Sequence, residues 1–147
     1  QMADLLREVR RRFDFCLLDA PAGLGRGFQL ATCAADRCVV VTTADASSLR
    51  DAQHTVMELD RFPSGALHLV VNRVRKKLLR QLHATIDDAI DKAGLPLLGV
   101  VPEDDALPLC MNRGVPILLA DGQSAATAYR NIAKRLQGER VPLLRIR

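Results

Sequence analysis

Four short, continuously apolar runs separated by helix-like segments constrain the fold of this 147-residue chain more than any other feature. The runs are FCLLD (15–19), CVVVTT (38–43), LHLVVN (67–72) and LLGVV (97–101). Strands that are buried on both faces show no alternation of polar and apolar residues, as in a parallel sheet. The alternation of such strands with helices predicts an α/β fold, with a mainly parallel sheet flanked by helices.

Three segments outside these runs have the apolar spacing of amphipathic helices. Ser48 is predicted to cap the first helix, with Asp51 three residues later. The second has its apolar residues on one face from Leu79 through Leu82 to Ala93. The third runs from Ala125 to Leu136 and ends near Gly138.

Composition and charge argue against several classes of function. Hydrophobic residues make up 48% of the chain, enough for a core, but no apolar run approaches the roughly 20 residues of a membrane span. The charged N-terminal sequence is unlike a signal peptide, so the chain is predicted to be cytoplasmic. With a net charge of +4, one tyrosine and no tryptophan, it has no aromatic platform for stacking bases, which argues against a single-strand or RNA-binding module.

The cysteines do not form a metal or redox motif. None of Cys16, Cys33, Cys38 and Cys110 belongs to a C-x-x-C pair, and the three histidines make no metal-ligand spacing with them. We therefore do not predict metal or catalytic thiol chemistry at these residues. Cys16 and Cys38 lie in apolar runs and are expected to pack as small hydrophobic side chains.

Polar residues follow every apolar run, at the edge where the carboxyl ends of parallel strands bind ligands. They are Asp19, Thr42, Thr43 and Asp45, Asn72 and Arg73, and the segment 102–105. Strand ends are commonly polar for structural reasons alone. The identities of these residues nevertheless favour a nucleotide site assembled along that edge.

The first of these strand ends, CLLDAPAGLGRG (16–27), is rich in glycine but matches no standard phosphate-binding loop. Phe28 occupies the place of the third glycine in G-x-G-x-x-G, and the chain contains no Gly-Lys dipeptide for a P-loop. A strand that ends in Asp19 would instead fix a carboxylate beside a Mg²⁺ ion or its bound water. Pro21 would stiffen the turn, while Ala22 and Gly23 leave room for a γ-phosphate. The loop is predicted to sense a phosphate rather than to hold one.

Five motifs in order resemble those of the MinD/ParA family of deviant P-loop ATPases, and the MinD branch most of all. FDFCLLDAPAGLG is similar to the family's D-x-P-A-G segment, and VVVTTADASSLRDA to T-x-P-E-x-x-S-[LV]-R-D-[AS]. LVVNRV, LLGVVPEDDAL and NRGVPILL are similar to V-x-N-R, L-[LV]-G-V-[IV]-P-E-D and N-x-G-x-P-[VI]. The similarity extends from about residue 13 to residue 136 and implies a P-loop NTPase fold that uses ATP and Mg²⁺.

The resemblance implies roles for the residues of the first loop. Asp19 matches the aspartate that holds the water network of Mg²⁺. Pro21, Ala22 and Gly23 match the switch that senses the γ-phosphate. Asp19 and Gly23 would therefore be the catalytic residues, and Asp19 the metal-side residue.

The resemblance also implies a base-binding group on the next two strand ends. Asn72, followed by Arg73, matches the asparagine that reads adenine, and Pro102 and Glu103 match the loop that closes over the base. Structural alternatives exist, since Asn72 could cap a turn and Glu103 could begin the helix after Pro102.

The family's K-G-G-x-G-K-[ST] phosphate loop does not occur in this sequence, and Ala44 and Asp45 replace the family's Pro-Glu. The resemblance places that loop, with the first strands, upstream of Gln1. Residues 1–138 are therefore expected to be the C-terminal part of an ATPase domain, with a basic and apolar tail at 139–147 and no appreciable ATPase activity of their own. A missing phosphate-loop strand would also leave a gap in the sheet, with aggregation or self-pairing at the open edge.

For the intact protein, the resemblance implies an ATP-dependent homodimer that places a MinC-like division regulator on the anionic inner membrane, with peripheral membrane association. Two alternatives remain open. One is a non-catalytic interaction module that kept the fold. The other is a ParA-type ATPase that places plasmids or flagella, in which Arg73, Arg75, Lys76, Lys77 and Arg80 would contact DNA.

Overall fold

The computed structural model describes residues 2–63, 65–81, 85–120 and 124–144. Within these ranges, β1 (Cys38–Thr42), β2 (Leu67–Val74) and β3 (Leu97–Pro102) form a parallel sheet in the order β1-β2-β3. The helices are α1 (Met2–Arg12), α2 (Arg26–Thr32), α3 (Ala46–Met57), α4 (Lys76–Gln81), α5 (Ile86–Ala93), α6 (Ala106–Asn112), a 3₁₀ turn (Ile117–Leu119) and α7 (Ser124–Leu136). The predicted α/β class with a parallel sheet is confirmed.

Both faces of the sheet are covered, which explains why its strands are continuously apolar. Leu69 and Val71 of β2 are 0% exposed and pack, with Val40 of β1, against α3 and α5. Val70 of β2 faces the opposite side and packs with Val101 of β3 against α7. The core therefore consists of two apolar layers with β2 in the middle.

The contact between β3 and α7 is close enough to require a glycine. A Cβ atom built on Gly99 would lie 2.4 Å from the Cγ1 atom of Ile132. No side chain fits there unless Ile132 or the helix that carries it moves, so Gly99 allows α7 to pack closely on the sheet.

The predicted strand at 15–19 is wrong. Residues 15–20 have no regular secondary structure, and Leu17 is 89% exposed. The reason is that β1 pairs with β2, and no described strand lies beside 15–19 to accept its backbone hydrogen bonds. Cys16 is exposed as well, so its predicted packing is also wrong, whereas Cys38 does pack against the core.

The predicted cap of α3 is also wrong by three residues. The helix begins at Ala46, and its N-cap is Asp45, whose carboxylate accepts a hydrogen bond from the backbone N–H of Ser48. Aspartate at the N-cap satisfies an N–H group that has no partner within the helix. Ser48 is therefore the residue that donates to the cap.

The apolar face from Leu79 to Ala93 belongs to two helices instead of one. The hydroxyl of Thr85 accepts from the N–H of Asp88, and the carboxylate of Asp88 accepts from the N–H of Thr85, so this capping box begins α5 separately. Leu82, which the sequence places on the same face, lies outside the described residues.

The last predicted helix is confirmed as α7, and Gly138 follows it with a φ of 88°. None of the helices in the described ranges combines the length and the apolar character needed to span a bilayer. The predicted tail at 139–147 has no regular structure over residues 139–144, and its last three residues lie outside the described part.

Candidate functional site

A cavity of about 1600 Å³ separates the segment 13–24 from β1. Five of the predicted site residues line it, and they come from the segment 19–23 and from the end of β2. These are Asp19, Pro21, Ala22, Gly23 and Asn72. Asp19 and the three loop residues are exposed, and Asn72 is half-buried. The structure therefore brings the predicted phosphate sensor and the predicted base reader to one cavity.

The loop that carries the predicted phosphate sensor packs directly on α2. A Cβ atom on Gly27, in the first turn of α2, would lie 2.5 Å from the Cγ atom of Pro21. Gly23 has a φ of 86°, in the left-handed region that other residues adopt only with strain, and no atom lies within 4 Å of its virtual Cβ. The glycine is thus required by backbone conformation, and its surroundings leave space for a ligand.

The remaining predicted site residues form a second group, at the ends of β2 and β3. Arg73 and Arg75 both pair with the carboxylate of Glu103, the first at 3.5 Å. The backbone N–H of Glu103 donates to the carbonyl of Val74 at 3.1 Å, and Pro102 is paired with Val74 in the sheet register. These contacts join the end of β2 to the residue after β3. Two ion pairs hold the side chain of Glu103, and a hydrogen bond to Val74 holds its backbone.

The sequence left two structural alternatives for this group: Asn72 could cap a turn, and Glu103 could begin a helix. The side-chain carbonyl of Asn72 accepts a hydrogen bond from the N–H of Arg73, whose φ is 53°. Asn72 therefore supports an irregularity within β2, where the register with β3 shifts between Val71 and Val74, and it does not cap a turn. Glu103 does not begin a helix, because α6 starts at Ala106 with Asp105 as its N-cap.

A hydrogen-bonded cluster at the end of β1 joins Thr43 and Asp45, two of the polar strand-end residues that the sequence places at this edge, to Ser48, which was predicted only as a helix cap. The hydroxyl of Thr43 donates to Asp45 and lies 2.8 Å from the hydroxyl of Ser48, and both hydroxyls line the cavity. The hydrogen bond from Thr43, followed by those from Ser48, lowers the pKa of Asp45 to about 2. The signal in the sequence was the spacing T-x-D-x-x-S, in which the aspartate precedes its helix by one residue.

The charges around the cavity are unevenly distributed. Among the described residues that line it, the arginines are Arg10 and Arg37, near the start of β1. Arg10 pairs with Asp36, and Arg37 donates to the carbonyl of Leu136. The cavity is also lined by Asp19 and by threonines, among them Thr42 and Thr43 at the end of β1. Oxygen donors of this kind suit Mg²⁺, which keeps most of its waters and needs only one or two carboxylates.

Within the described ranges, no group of three or more His, Cys, Asp or Glu side chains converges on a metal position. The four cysteines are free thiols. Asp19 is one of several aspartates that line the cavity, among them Asp51 of α3, and one carboxylate of this kind suffices for a residue that acts on Mg²⁺ through water.

A family model described as "Cellulose biosynthesis protein BcsQ" matches residues 1–136 of the chain. The chain belongs to the MinD/ParA family. Curated relatives within that family are septum site-determining proteins MinD. The protein from Synechocystis sp. is 33% identical over 98% of this chain and 55% of its own length. The protein from Bacillus subtilis is 37% identical over 97% and 54%. The chain spans about half the length of the curated relatives it matches.

Solved structures of the MinD/ParA family superpose on almost the whole chain. The MinD cell division protein of Aquifex aeolicus matches with a TM-score of 0.90 and 31% identity, over 98% of this chain and 62% of its own. The MinC:MinD complex from the same organism matches with a TM-score of 0.90 and 31% identity, over 97% and 60%. Pyrococcus horikoshii MinD, complexed with Mg-ADP, matches at 0.78 and 25%, over 92% and 55%.

These matches confirm the resemblance and the P-loop NTPase fold. The Mg-ADP complex supports the use of nucleotide and Mg²⁺ within the family. The roles of the individual site residues in this chain stay predictions.

Proposed function

We propose that this chain carries the phosphate-sensing switch and the base-binding loops of a MinD-like ATPase, whose nucleotide cycle positions a partner. The observation that carries the proposal is the cavity shared by Asp19, the loop 21–23 and Asn72. In the MinD/ParA family, the matching motifs serve one nucleotide, and here they meet at one edge of the sheet.

Each residue of the cavity has a distinct role in this proposal. Asp19 would hold Mg²⁺ through a bound water, and the ion, when bound, would neutralise charge on the phosphates. The backbone N–H of Gly23 would donate to the γ-phosphate, since its positive φ and open surroundings allow the loop to approach closely. Removing that phosphate would free the loop, which changes shape around its contact with Gly27.

The base would lie between the ends of β2 and β3. The amide group of Asn72 can donate to an adenine ring nitrogen, while Pro102 and Glu103 cover the other side. The ion pairs of Glu103 with Arg73 and Arg75 would hold that loop in place. The pKa shift of Asp45 marks a structural cap that lies beside the site.

The intact protein would bind MgATP, dimerise face to face and hydrolyse the γ-phosphate by attack of water. The MinC:MinD complex supports a MinC-like division regulator as the partner. The proposed place of action is the inner membrane. The chain alone would have no appreciable ATPase activity, because the described cavity residues supply no free cation to stabilise the transferred charge at the Asp19 end.

A chimera tests this proposal. Residues 1–147 would replace the matching part of Aquifex aeolicus MinD, and Mg²⁺-dependent ATP hydrolysis would be measured. The Asp19→Asn variant is expected to lower the rate by about 10–100-fold, since the residue orients a metal-bound water. Asp60→Asn, which alters another exposed carboxylate outside the cavity lining, is the matched control and should leave the rate unchanged.

Two results would contradict the proposal. One is equal hydrolysis by the Asp19→Asn and Asp60→Asn chimeras, provided that circular dichroism shows both to be folded. The other is Mg²⁺-dependent turnover of ATP by the 147-residue chain alone.

The description of the matching family model favours a second candidate partner, a component of cellulose biosynthesis. Co-purification of the intact protein with a MinC-like regulator or with a cellulose biosynthesis protein distinguishes the two. DNA as the partner has less support, because Arg73 and Arg75, two of the five basic residues at 73–80 that would contact DNA, are already paired with Glu103. DNA binding that weakens steeply as the salt concentration rises would support DNA as the partner.

A further inference from the structure

Two neighbouring side chains hold the loop after β3 from different sides. Glu103 reaches the end of β2, where Arg73 and Arg75 pair with its carboxylate. The carboxylate of Asp104 instead reaches the start of α7, which lies 20 and 21 positions further along the chain. The loop that is proposed to cover the base is therefore fixed between β2 and α7.

Both carboxylate oxygens of Asp104 accept hydrogen bonds. Its Oδ2 atom accepts from the backbone N–H of Ala125 at 3.1 Å and from the hydroxyl of Ser124 at 3.3 Å. Its Oδ1 atom accepts from the backbone N–H of Ala106, at the start of α6, at 3.1 Å. The first N–H groups of a helix have no partner within the helix, and the helix dipole favours a negative charge beside them. One side chain thus joins the loop to the first turns of two helices.

α7 is a firm support for the loop because it is packed against the sheet along its length. Ala125, in its first turn, is fully buried. Further along the helix, Ile132 packs directly over Gly99, and the guanidinium of Arg135 donates to the carbonyl of Leu98. The strand that leads into the loop and the helix that binds Asp104 are therefore packed against each other.

The contacts of Asp104 should restrain the loop more than those of Glu103. The side chains of Arg73 and Arg75, which pair with Glu103, are 69% and 61% exposed. Ion pairs of exposed side chains contribute little, because water and salt screen them. The hydrogen bond from Ala125, in contrast, comes from a buried backbone position of a packed helix. Asp104 is therefore the stronger anchor of the two.

We propose that Asp104 is a positioning residue for the nucleotide base. It fixes the loop to α7 and so keeps Pro102 and Glu103 in place over the base. Its own carboxylate is engaged with α6 and α7, so it acts through these two neighbours. The inference rests on the proposed function, which assigns Pro102 and Glu103 to the base. Loss of Asp104 should weaken the binding of the base and leave the binding of the phosphates unchanged.

The kinetics of the chimera with Aquifex aeolicus MinD test this proposal. Asp104→Ala should raise the KM for MgATP by about tenfold and leave kcat within about twofold, because base contacts bind the ground state and the transition state alike. The inhibition constant of inorganic tripolyphosphate, which has the phosphates but no base, should stay unchanged. Asp104→Asn keeps an oxygen that can accept from Ala125 and should restore most of the affinity for MgATP.

Asp88→Ala is the matched control for the loss of a helix cap. The carboxylate of Asp88 also accepts from a backbone N–H at the start of a helix, that of Thr85, but α5 packs on the opposite face of the sheet from α7. Both variants should lower the temperature of thermal unfolding, and only Asp104→Ala should raise the KM. Equal KM values for the two folded variants would overturn the proposal. So would an equal loss of affinity for MgATP and tripolyphosphate in Asp104→Ala.

Amide exchange in the 147-residue chain separates this inference from the proposed function, because no nucleotide takes part in the measurement. Asp104→Ala should speed exchange at Ala125 by about tenfold. Unchanged exchange would show that Asp104 does not anchor the loop to α7, and would overturn the inference even if the chimera hydrolyses ATP. Equal hydrolysis by the Asp19→Asn and Asp60→Asn chimeras would instead overturn the proposed function, and with it the positioning of a base.

Discussion

Residues 15–19 and β1 have nearly the same sequence character but different structures. FCLLD and CVVVT are both short apolar runs that end in a polar residue. β1 pairs with β2 and buries Val40 against α3, while residues 15–19 have no described strand beside them and expose Leu17. The comparison shows that an apolar run becomes a strand only where a neighbouring strand accepts its backbone hydrogen bonds.

The two regions also differ in what packs against them. The sheet from β1 to β3 has α3 and α5 on one face and α7 on the other, and its central side chains are fully buried. The segment 13–24 instead borders a cavity and is anchored through the contact of Pro21 with Gly27. Local unfolding should therefore cost more free energy in the sheet than in the segment 13–24, which carries Asp19.

The largest expected effect comes from matched leucine truncations in the two regions. Leu69→Ala should lower the free energy of unfolding by about 2–5 kcal/mol, because Leu69 is 0% exposed and its removal leaves a cavity. Leu17→Ala should change it by less than about 0.5 kcal/mol, because Leu17 is 89% exposed. Urea denaturation of both variants measures the difference, and equal losses would show that segment 13–20 is packed as well as the sheet.

A smaller effect is expected from matched glycine substitutions. Gly99→Ala should cost about 1–3 kcal/mol, since the added Cβ meets Ile132 and forces α7 away from β3. Gly25→Ala, beside the cavity, should cost far less, because nothing lies within 4 Å of its virtual Cβ. Thermal unfolding measures both. Combining Gly99→Ala with Ile132→Ala should cost less than the two single losses added together; simple additivity would rule out the contact as the cause.

The smallest effect is expected at Asp45, on the boundary between the two regions. Its pKa is lowered from 3.8 to about 2 in the folded chain, mainly by the hydrogen bond from Thr43. A depressed carboxyl pKa adds stability above the unfolded value, near pH 4, and this contribution disappears as the pH falls toward about 2. Asp45→Asn should make the loss of stability between about pH 4 and pH 2 shallower than in the parent chain.

Urea midpoints at several acidic pH values measure that slope, with Asp60→Asn as the matched carboxylate control. At neutral pH, Asp45→Ala should cost about 0.5–2 kcal/mol, as expected for loss of an N-cap. An unchanged acid slope in Asp45→Asn would mean that the hydrogen bonds of Thr43 and Ser48 do not favour the ionised form.

The sequence by itself determined the α/β class, β1, β2 and β3, helix α7 and the family. These follow from local patterns: continuous apolar runs for doubly buried strands, a repeated apolar face for α7, and motifs in a fixed order. It also predicted that Asp19 and Asn72 would meet, because the carboxyl ends of parallel strands share one edge.

The tertiary structure decided what depends on partners far away in the chain. Whether 15–19 forms a strand depends on a neighbour at its edge. The side-chain carbonyl of Asn72 accepts a hydrogen bond from the N–H of Arg73 at an irregularity of β2, where Arg73 has a positive φ. The pairing of Arg73 and Arg75 with Glu103 joins the end of β2 to the residue after β3, 28 or more positions along the chain. Such contacts have no local signature, because hydrogen bonds and ion pairs between loops form only after the sheet has placed their ends together.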